Sequence, residues 1–217
     1  MYVDGRPPKA VLTVGRLPVP VPFRFCTLHA TDPSAAESVL SVIPAGAAFF
    51  VLTETWQLDL LRERAKLREE RPAWLFRLDP TDFVDEQRHE VRPVGTEWAG
   101  LIAKWWDPDN PMEPYIRSRL EGGPNGGIYE GDELVAWYGT HLETDKVVVM
   151  GFLHVLDEYR HRGYAKSISC ALSKEIFRTR KIPACHVYLD NEPSLRLMDS
   201  LGLRRVKQQA FIEVTFE

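Results

Sequence analysis

The sequence contains few cysteines, and their spacing argues against several kinds of structural site. Three cysteines occur among 217 residues, at Cys26, Cys170 and Cys185, and no pair has Cys-x-x-Cys spacing. Each lies in an apolar stretch, so we expect buried, reduced thiols rather than a disulfide framework or a zinc site. No histidine can be assigned as a partner for Cys170 or Cys185, so we expect both to serve packing rather than to act as nucleophiles. We expect no bound metal.

The sequence also lacks blocks of like charge and long apolar runs. Lysine and arginine number 27 against 31 acidic residues, without a block of one sign, so we expect no nucleic-acid partner. The longest apolar runs are shorter than a membrane span, and Met1 to Pro8 is too polar for a signal peptide. These absences predict a cytoplasmic protein without a membrane partner.

The composition is sufficient for one large domain or two small ones. Hydrophobic residues make up 44% of the chain, enough for each domain to bury a core. The polar patch from Asp82 to Glu90 predicts a linker. We therefore predict an N-terminal α/β unit over residues 1–88 and a second unit over residues 89–217.

The first unit combines strand patterns with helix patterns. Asp32 and Pro33 predict the start of a short helix, because the first is a good N-cap and the second fits the first turn. A stripe of apolar residues at helical spacing predicts a second helix from Thr55 to Glu70.

The stretch from Val147 to Lys166 has the pattern of an anion-binding site. Its nearly continuous apolar run from Val147 to Val155 predicts a strand buried on both faces. A charged turn, Asp157 to Arg162, then leads to Gly163 and to a helical pattern from Tyr164 to Arg178. The first N–H groups of a helix have no partner within it and carry partial positive charge, and a glycine lets a phosphate approach the backbone.

Two arginines at this turn favour a bound anion over a plain helix start. Positive charge at a helix N-terminus opposes the macrodipole, and Arg160 and Arg162 both lie there. Both side chains are charge-assisted donors that suit a phosphate. The alternative is that they are surface charges without a ligand.

Two segments carry a family resemblance. Arg160-His161-Arg162-Gly163-Tyr164-Ala165 resembles the Arg/Gln-x-x-Gly-x-Gly/Ala pyrophosphate loop of the GNAT acetyltransferase superfamily, and it follows a predicted strand ending at Val155. Asn191-Glu192-Pro193-Ser194, leading to Leu201-Gly202-Leu203, resembles the family's closing segment, in which an asparagine starts a short helix ending in Leu-Gly-Phe. Two motifs in this order are far more specific than one. The chain looks most like the C-terminal domain of the glycine N-acyltransferase-like (FR47-like) group, over about residues 90–217.

The resemblance implies a fold and a co-substrate. The fold is α/β (α+β), a mixed, mostly antiparallel sheet flanked by helices, in which two strands diverge to hold acetyl-CoA or another acyl-CoA. The residues implied in binding are Leu153, His154 and Val155 for the pantetheine arm, Arg160, His161, Arg162, Gly163, Tyr164, Ala165 and Lys166 for the pyrophosphate, and Asn191 and Ser194 for pantetheine or the acyl end. Asn191 is also a good helix N-cap, so a purely structural role is the alternative.

The implied activity is N-acyl transfer, but the usual acid and base positions are altered. Relatives often carry a base nine or eleven residues before the loop arginine and an acidic tyrosine seven residues after the asparagine. Here these positions are Gly151, Val149 and Met198, which cannot transfer a proton. Candidate substitutes near the predicted slot are His141, Glu143, His154 and Tyr188.

The acceptor implied by the resemblance is the amine of a small molecule or amino acid, which would attack acetyl-CoA directly, in a monomer or homodimer. A CoA-binding but non-catalytic sensor or interaction domain is the first alternative, and a protein N-terminal or lysine acetyltransferase is the second. We expect the Trp105-Trp106 pair to be core, with an acceptor-site wall as the alternative. We hypothesise that the first unit is a degenerate, partial GNAT-like repeat; an unrelated α/β cap is the alternative.

Overall fold

The computed structural model of the chain describes residues 1–15, 23–109 and 112–217. Two units are distinguished. The first consists of Met1–Trp74, Tyr188–Asp190 and Lys207–Glu217, and the second of Leu75–Val187 and Asn191–Val206. This division differs from the predicted boundary between residues 88 and 89, because the chain returns to the first unit at Tyr188 and again at Lys207.

Strands and helices alternate along much of the chain. In chain order the strands are β1 (Tyr2–Val3), β2 (Ala10–Gly15), β3 (Arg24–Ala30), β4 (Gly46–Leu52), β5 (Ala65–Arg77), β6 (Gly126–Glu130), β7 (Glu133–Glu143), β8 (Val147–Val155), β9 (Ile182–Tyr188) and β10 (Arg204–Phe216). The α-helices are α1 (Pro33–Leu40), α2 (Gln57–Arg62), α3 (Ala99–Trp106), α4 (Glu113–Gly122), α5 (Tyr164–Arg178) and α6 (Glu192–Ser200). Among the described residues, no helix is both long enough and apolar enough to span a membrane.

A sheet forms the centre of the first unit. β2 pairs antiparallel with β3, and β3 lies parallel to β4. The connecting helix α1 starts where the sequence predicts, with the carboxylate of Asp32 accepting the N–H of Ala35 at 2.9 Å. Residues Ala210–Phe216 of β10 pair antiparallel with Gly46–Leu52 of β4. Fully buried core residues include Leu12, Leu28, Phe50, Leu61 and Ile212.

The first unit repeats an element order found in the second. The order β3, α1, β4, α2 matches the order β8, α5, β9, α6, and in both cases the two strands are parallel. The turn after β3, Thr31-Asp32, contains neither glycine nor arginine, so it offers no phosphate loop of the kind predicted after β8. The degenerate GNAT-like repeat stays a prediction, with which this order is consistent.

The helix predicted over residues 55–70 is wrong in its second half. α2 ends at Arg62, and Ala65 begins β5. Over residues 65–68, half-buried and exposed side chains alternate, as in a strand. The same apolar residues also fit helical spacing, so the pattern alone does not separate the two structures. Long-range contacts favour the strand, since Arg68 Nε donates to Thr215 Oγ1 at 2.7 Å.

The second unit contains four neighbouring strands in the order β9-β8-β7-β6. β6, β7 and β8 are antiparallel, whereas β8 and β9 are parallel. Gly131, with φ of +61°, lies in the predicted hairpin turn between β6 and β7. Helix α3 contacts β8, α4 contacts β7, and α5 contacts all three antiparallel strands.

The segment predicted as a linker, Asp82 to Glu90, is bound to α5. It forms neither helix nor strand, but Ser167 Oγ accepts the N–H groups of Arg88 and His89 at 3.1 and 3.3 Å. The N–H of Glu86 contacts Cys170 Sγ at 3.3 Å. This polar segment is therefore an ordered part of the second unit that covers α5, and not a flexible linker.

Candidate functional site

β8 and β9 lie side by side only at their beginnings. Val147–Val149 pair in parallel with Ile182–Ala184, and among the described residues no further pair joins the two strands. From Met150 to Val155, the backbone groups of β8 that face this side therefore lack a strand partner. Unpaired N–H and C=O groups are unfavourable unless water or a ligand satisfies them. The slot that the family resemblance implies is thus present in the second unit.

A β-bulge interrupts the pairing of β7 with β8 beside this slot. Trp137 lies opposite His154, but the next pair is Gly139 with Gly151, so one residue of β7 faces two residues of β8. Phe152, within the bulge, has φ of 30°, which is uncommon for a residue with a side chain. A bulge re-aims side chains. Here Trp137 and His154 share a face, with ring centroids 5.0 Å apart.

Two glycines near the bulge make room for rings that lie across the sheet. A Cβ atom at Gly139 would lie 1.9 Å from Cζ of Phe152, and one at Gly151 would lie 2.1 Å from Nε2 of His141. Each ring therefore covers the backbone of a glycine on the neighbouring strand. The two rings meet edge to face, with centroids 5.7 Å apart. Glycine inside a strand commonly marks such a close approach.

A cavity of about 190 Å³ adjoins the bulge. It is lined by Trp105, Trp106, Trp137, Phe152, Leu153 and His154. The side chains of Trp105 and Trp106 are 44% and 38% exposed. The expectation that this pair is core is therefore wrong: the last turn of α3 presents both indoles to the cavity, which agrees with the alternative of an acceptor-site wall.

The ring of His154 packs against two indole rings in this cavity. Its centroid lies 4.9 Å from that of Trp105 and 5.0 Å from that of Trp137. Its Nε2 is buried and has no hydrogen-bond partner in the described part of the chain. Burial, followed by the charge of Arg160, lowers the pKa of His154, which favours the neutral imidazole.

The imidazole of His141 has a hydrogen-bond partner at Nδ1, whereas Nε2 of His154 has none in the described part of the chain. Tyr115 Oη lies 2.9 Å from Nδ1 of His141, and the imidazole contacts the rings of Trp106 and Tyr115 with centroids 5.4 and 6.1 Å away. Burial lowers the pKa of His141 to about 4, with further contributions from His186 and Arg119. The imidazole is therefore neutral at neutral pH.

The loop before α5 presents free backbone donors. His161 and Gly163 have φ of 64° and 83°, and Gly163 caps α5 without a side-chain bond. The first bond of the helix runs from the N–H of Ser167 to the carbonyl of Gly163 at 3.1 Å. Within the described ranges, no protein acceptor is present for the N–H groups from His161 to Lys166. Such donors at a helix N-terminus suit a phosphate.

Basic side chains border these donors. Their present contacts are Arg160 with Asp157 at 2.7 Å, Arg162 with the carbonyl of Glu158 at 3.2 Å, and Lys166 with Glu86 at 2.7 Å. Arg160 and Arg162 are exposed, and ion pairs at exposed positions contribute little. Both guanidinium groups can therefore turn to an anion at small cost.

Asn191 is the N-cap of α6, which is the structural role given above as the alternative to ligand binding. Its side-chain oxygen accepts the N–H of Ser194 at 3.2 Å.

Replacing Asn191 by alanine should lower the free energy of unfolding by about 1 kcal/mol, because the cap bond is lost. Replacement by aspartate, which also accepts this bond, should leave stability nearly unchanged in urea denaturation. Equal losses for both variants would contradict the capping role.

Glu143 and Tyr188, two of the predicted catalytic candidates, are engaged elsewhere. Glu143 is exposed near the end of β7 and forms an ion pair with Lys181. Tyr188 belongs to the first unit, where the Arg71 guanidinium lies 3.5 Å from the centroid of its ring. The cavity lining includes neither residue. By contrast, His154 lines the cavity, and His141 contacts Trp106 and Phe152 of its wall, so these two histidines are the stronger candidates for proton transfer.

The three cysteines are free and buried. Burial raises the pKa of Cys26 to about 11 and that of Cys185 to about 12, and also raises the pKa of Cys170. Because the reactive form is the thiolate, we expect a chromogenic thiol reagent to label none of them in the folded protein and all three after denaturation. Rapid labelling of the folded protein would contradict this and reopen a covalent role for cysteine.

The sequence analysis missed Tyr115, Phe152 and His89. Tyr115 contacts His141, Phe152 forms part of the cavity wall, and Nε2 of His89 lies 3.0 Å from the carbonyl of Arg162 in the loop before α5. One signal was present in the sequence: Gly139 and Gly151 interrupt two strand patterns, and such glycines indicate a close contact.

Comparison with known proteins supports this description. Residues 125–212 match the family of FR47-like proteins. A protein from Drosophila is 19% identical, with a TM-score of 0.77 over 94% of this chain and 73% of that one. A GCN5-related N-acetyltransferase from Kribbella flavida is 15% identical, with a TM-score of 0.62 over 89% of this chain and 81% of that one. A tandem GNAT protein from the clavulanic acid biosynthesis pathway is 10% identical, with a TM-score of 0.57 over 96% and 84%. No curated protein matches the chain.

The architecture agrees with the fold class that the sequence predicts. A mixed sheet flanked by helices, matching GNAT acetyltransferase structures, is the fold that the sequence predicts. Residues 125–212, which match the family of FR47-like proteins, include the bulge, the end of the β8–β9 pairing and the loop before α5. The chain thus has the fold of GNAT acetyltransferase structures.

Proposed function

We propose that the chain is an acyl-CoA-dependent N-acyltransferase that transfers acetyl from acetyl-CoA to the amine of a small molecule or amino acid. The observation that carries the proposal is the divergence of β8 from β9 next to the free N–H groups that open α5. An extended ligand ending in a pyrophosphate satisfies both sets of unpaired groups at once.

Two groups of residues would bind the two parts of this ligand. The backbone of Leu153, His154 and Val155 would pair with the pantetheine arm, because among the described residues β8 is not paired with β9 there. The N–H groups from His161 to Lys166, with Arg160 and Arg162, would hold the pyrophosphate. When bound, acyl-CoA supplies the activated thioester.

The aromatic cavity supports a small acceptor with an apolar or aromatic body. Its volume of about 190 Å³ is too small for a folded chain segment, and its walls include the indoles of Trp105, Trp106 and Trp137. Indole faces attract cationic amines as well as flat rings. Leu153 and His154 line the cavity and also belong to the proposed pantetheine site, so an amine bound there would lie beside the thioester.

The proposal includes the setting in which the enzyme works. Free, buried cysteines are typical of a reducing compartment, and we propose a cytoplasmic enzyme. We also propose that it acts as a monomer or homodimer. Size-exclusion chromatography with light scattering measures the oligomeric state directly.

Calorimetric titration tests the proposed function. We expect acetyl-CoA and CoA to bind, and S-acetylpantetheine, which lacks the pyrophosphate, to bind much more weakly. Thiol release should then follow with one or more of phenethylamine, tryptamine, glycine and phenylalanine. Absence of acetyl-CoA binding would overturn the proposal, and binding without turnover on a broad amine panel would favour a CoA sensor.

A further inference from the structure

Direct attack of an amine on a thioester releases a proton from the amine nitrogen, and a positioned side chain can accept it. We propose that His141 is this acceptor through its Nε2 atom, and that Tyr115 is the positioning residue that orients it. The inference rests on the proposed acyl transfer and adds the group that removes the proton.

The imidazole of His141 lies over the backbone of Gly151. Gly151 lies two residues beyond Val149, the last residue of β8 paired with β9, and therefore marks the start of the slot. A Cβ atom at Gly151 would lie 2.1 Å from Nε2 of His141. The imidazole thus occupies the place of a side chain at Gly151, although it comes from β7. The neighbouring strand supplies the basic nitrogen that Gly151 lacks.

The surroundings of His141 connect it to the acceptor cavity. Its ring meets Trp106 and Phe152, with centroids 5.4 and 5.7 Å away, and both of these side chains line the cavity. The imidazole does not itself line the cavity, so the proton would pass from the amine to Nε2 through one bridging water. His154 does line the cavity, but its ring packs against the indoles of Trp105 and Trp137, and its Nε2 has no orienting partner in the described part of the chain.

The hydrogen bonds of Tyr115 are compatible with the tautomer in which Nε2 is basic. Tyr115 Oη lies 2.9 Å from Nδ1 of His141 and 3.4 Å from the carbonyl oxygen of the same residue. Burial raises the pKa of Tyr115 to about 12, so the hydroxyl keeps its proton. When that proton is donated to the carbonyl, the hydroxyl oxygen accepts Nδ1–H. The lone pair of Nε2 is then free to accept a proton.

The charges around His141 keep it neutral before reaction. Burial, His186 and Arg119 all lower its pKa, to about 4. Arg119 is fixed by donating to the carbonyl of Thr140 at 2.7 Å, and Glu143 on the same strand is paired with Lys181. Because the pKa lies below the neutral range, the proton-accepting form is fully populated at neutral pH.

The step balances without a further co-reactant. The amine nitrogen forms a bond to the thioester carbonyl carbon, and the carbon–sulphur bond breaks with its electron pair going to sulphur. Nε2 of His141 takes the proton that the nitrogen loses, and the thiolate finally takes up one proton to become the free thiol. The reaction as a whole therefore moves one proton from nitrogen to sulphur.

The first test needs no acceptor. Nitrogen-15 NMR of histidine-labelled protein at neutral pH should show His141, assigned with the His141→Gln variant, as a neutral ring protonated at Nδ1. The Tyr115→Phe variant should shift His141 toward the Nε2-protonated tautomer, because the partner of Nδ1–H is lost. A wild-type ring that is charged or protonated at Nε2 would overturn the inference, whether or not acetyl-CoA binds.

The second test is kinetic. With acetyl-CoA and the best amine of the panel above, His141→Gln should lower kcat by about 100-fold or more while the Kd for acetyl-CoA stays within a few-fold of wild type. His29→Gln, a matched change at an exposed position of the first unit, should leave both values unchanged. An unaltered kcat in the His141→Gln variant would overturn the inference about His141. If the wild-type protein did not bind acetyl-CoA, the proposed function itself would be overturned.

Discussion

Replacement of Gly163 by valine should weaken acetyl-CoA binding by about 100-fold, because two effects add at this position. Gly163 has φ of +83°, a conformation that β-branched residues avoid, so the valine would distort the turn that aims the N–H groups of α5. The new side chain would also stand where a phosphate must approach the backbone. Calorimetric titration of acetyl-CoA measures the change in Kd.

A matched variant separates strain from ligand contact. Gly131 also has positive φ, +61°, and no atom lies within 4 Å of a Cβ built there. Gly131→Val should therefore lower stability by a similar backbone effect but leave the Kd for acetyl-CoA unchanged. Equal affinity in Gly163→Val and wild type would show that the loop before α5 does not hold the nucleotide end of the ligand.

Replacement of Gly202 by alanine should lower the free energy of unfolding by about 3 kcal/mol, through backbone strain and overpacking together. Gly202 has φ of +86°, and its Cβ would lie 1.9 Å from the carbonyl oxygen of Asp82. The obstacle is backbone, so no side-chain rotation relieves the overlap. Urea denaturation followed by circular dichroism measures the loss.

The control for this variant is Gly122→Ala. Gly122 is the last residue of α4, and no atom lies within 4 Å of a Cβ built there. Alanine should therefore leave the stability equal to that of the wild type or raise it by up to about 1 kcal/mol. If the two alanine variants had the same denaturation midpoint, the close approach of Gly202 to Asp82 would not exist in solution.

Features fixed by neighbouring residues were predictable from the sequence. The predicted helix from Tyr164 to Arg178 agrees with α5, because Gly163 sets its start and Ile168, Leu172 and Ile176 repeat at helical spacing on the buried face. The Gly131-Asp132 hairpin was also predictable from its turn residues. The family resemblance, which rests on short motifs around these elements, agrees with the end of the β8–β9 pairing. The pyrophosphate-binding role of the loop before α5 stays a prediction.

Features that depend on distant pairing were not predictable. The first part of β5, from Ala65 to Glu70, was predicted as helix, because its apolar residues fit both periodicities and only its neighbours in the sheet decide between them. The bulge at Phe152 changes which face His154 occupies, and sequence alone does not reveal a bulge. The fit of His141 over Gly151 joins two strands whose register is set by that bulge.

The return of β10 to β4 has a consequence for biosynthesis. Because a ribosome delivers the chain from its N-terminus, Gly46–Leu52 emerges long before its antiparallel partner, Ala210–Phe216. Until then the nascent first unit carries an open strand edge, which can pair with other chains. Closing this contact late also makes folding depend on an encounter between remote segments, which is intrinsically slow. The unit that is translated first is therefore finished last.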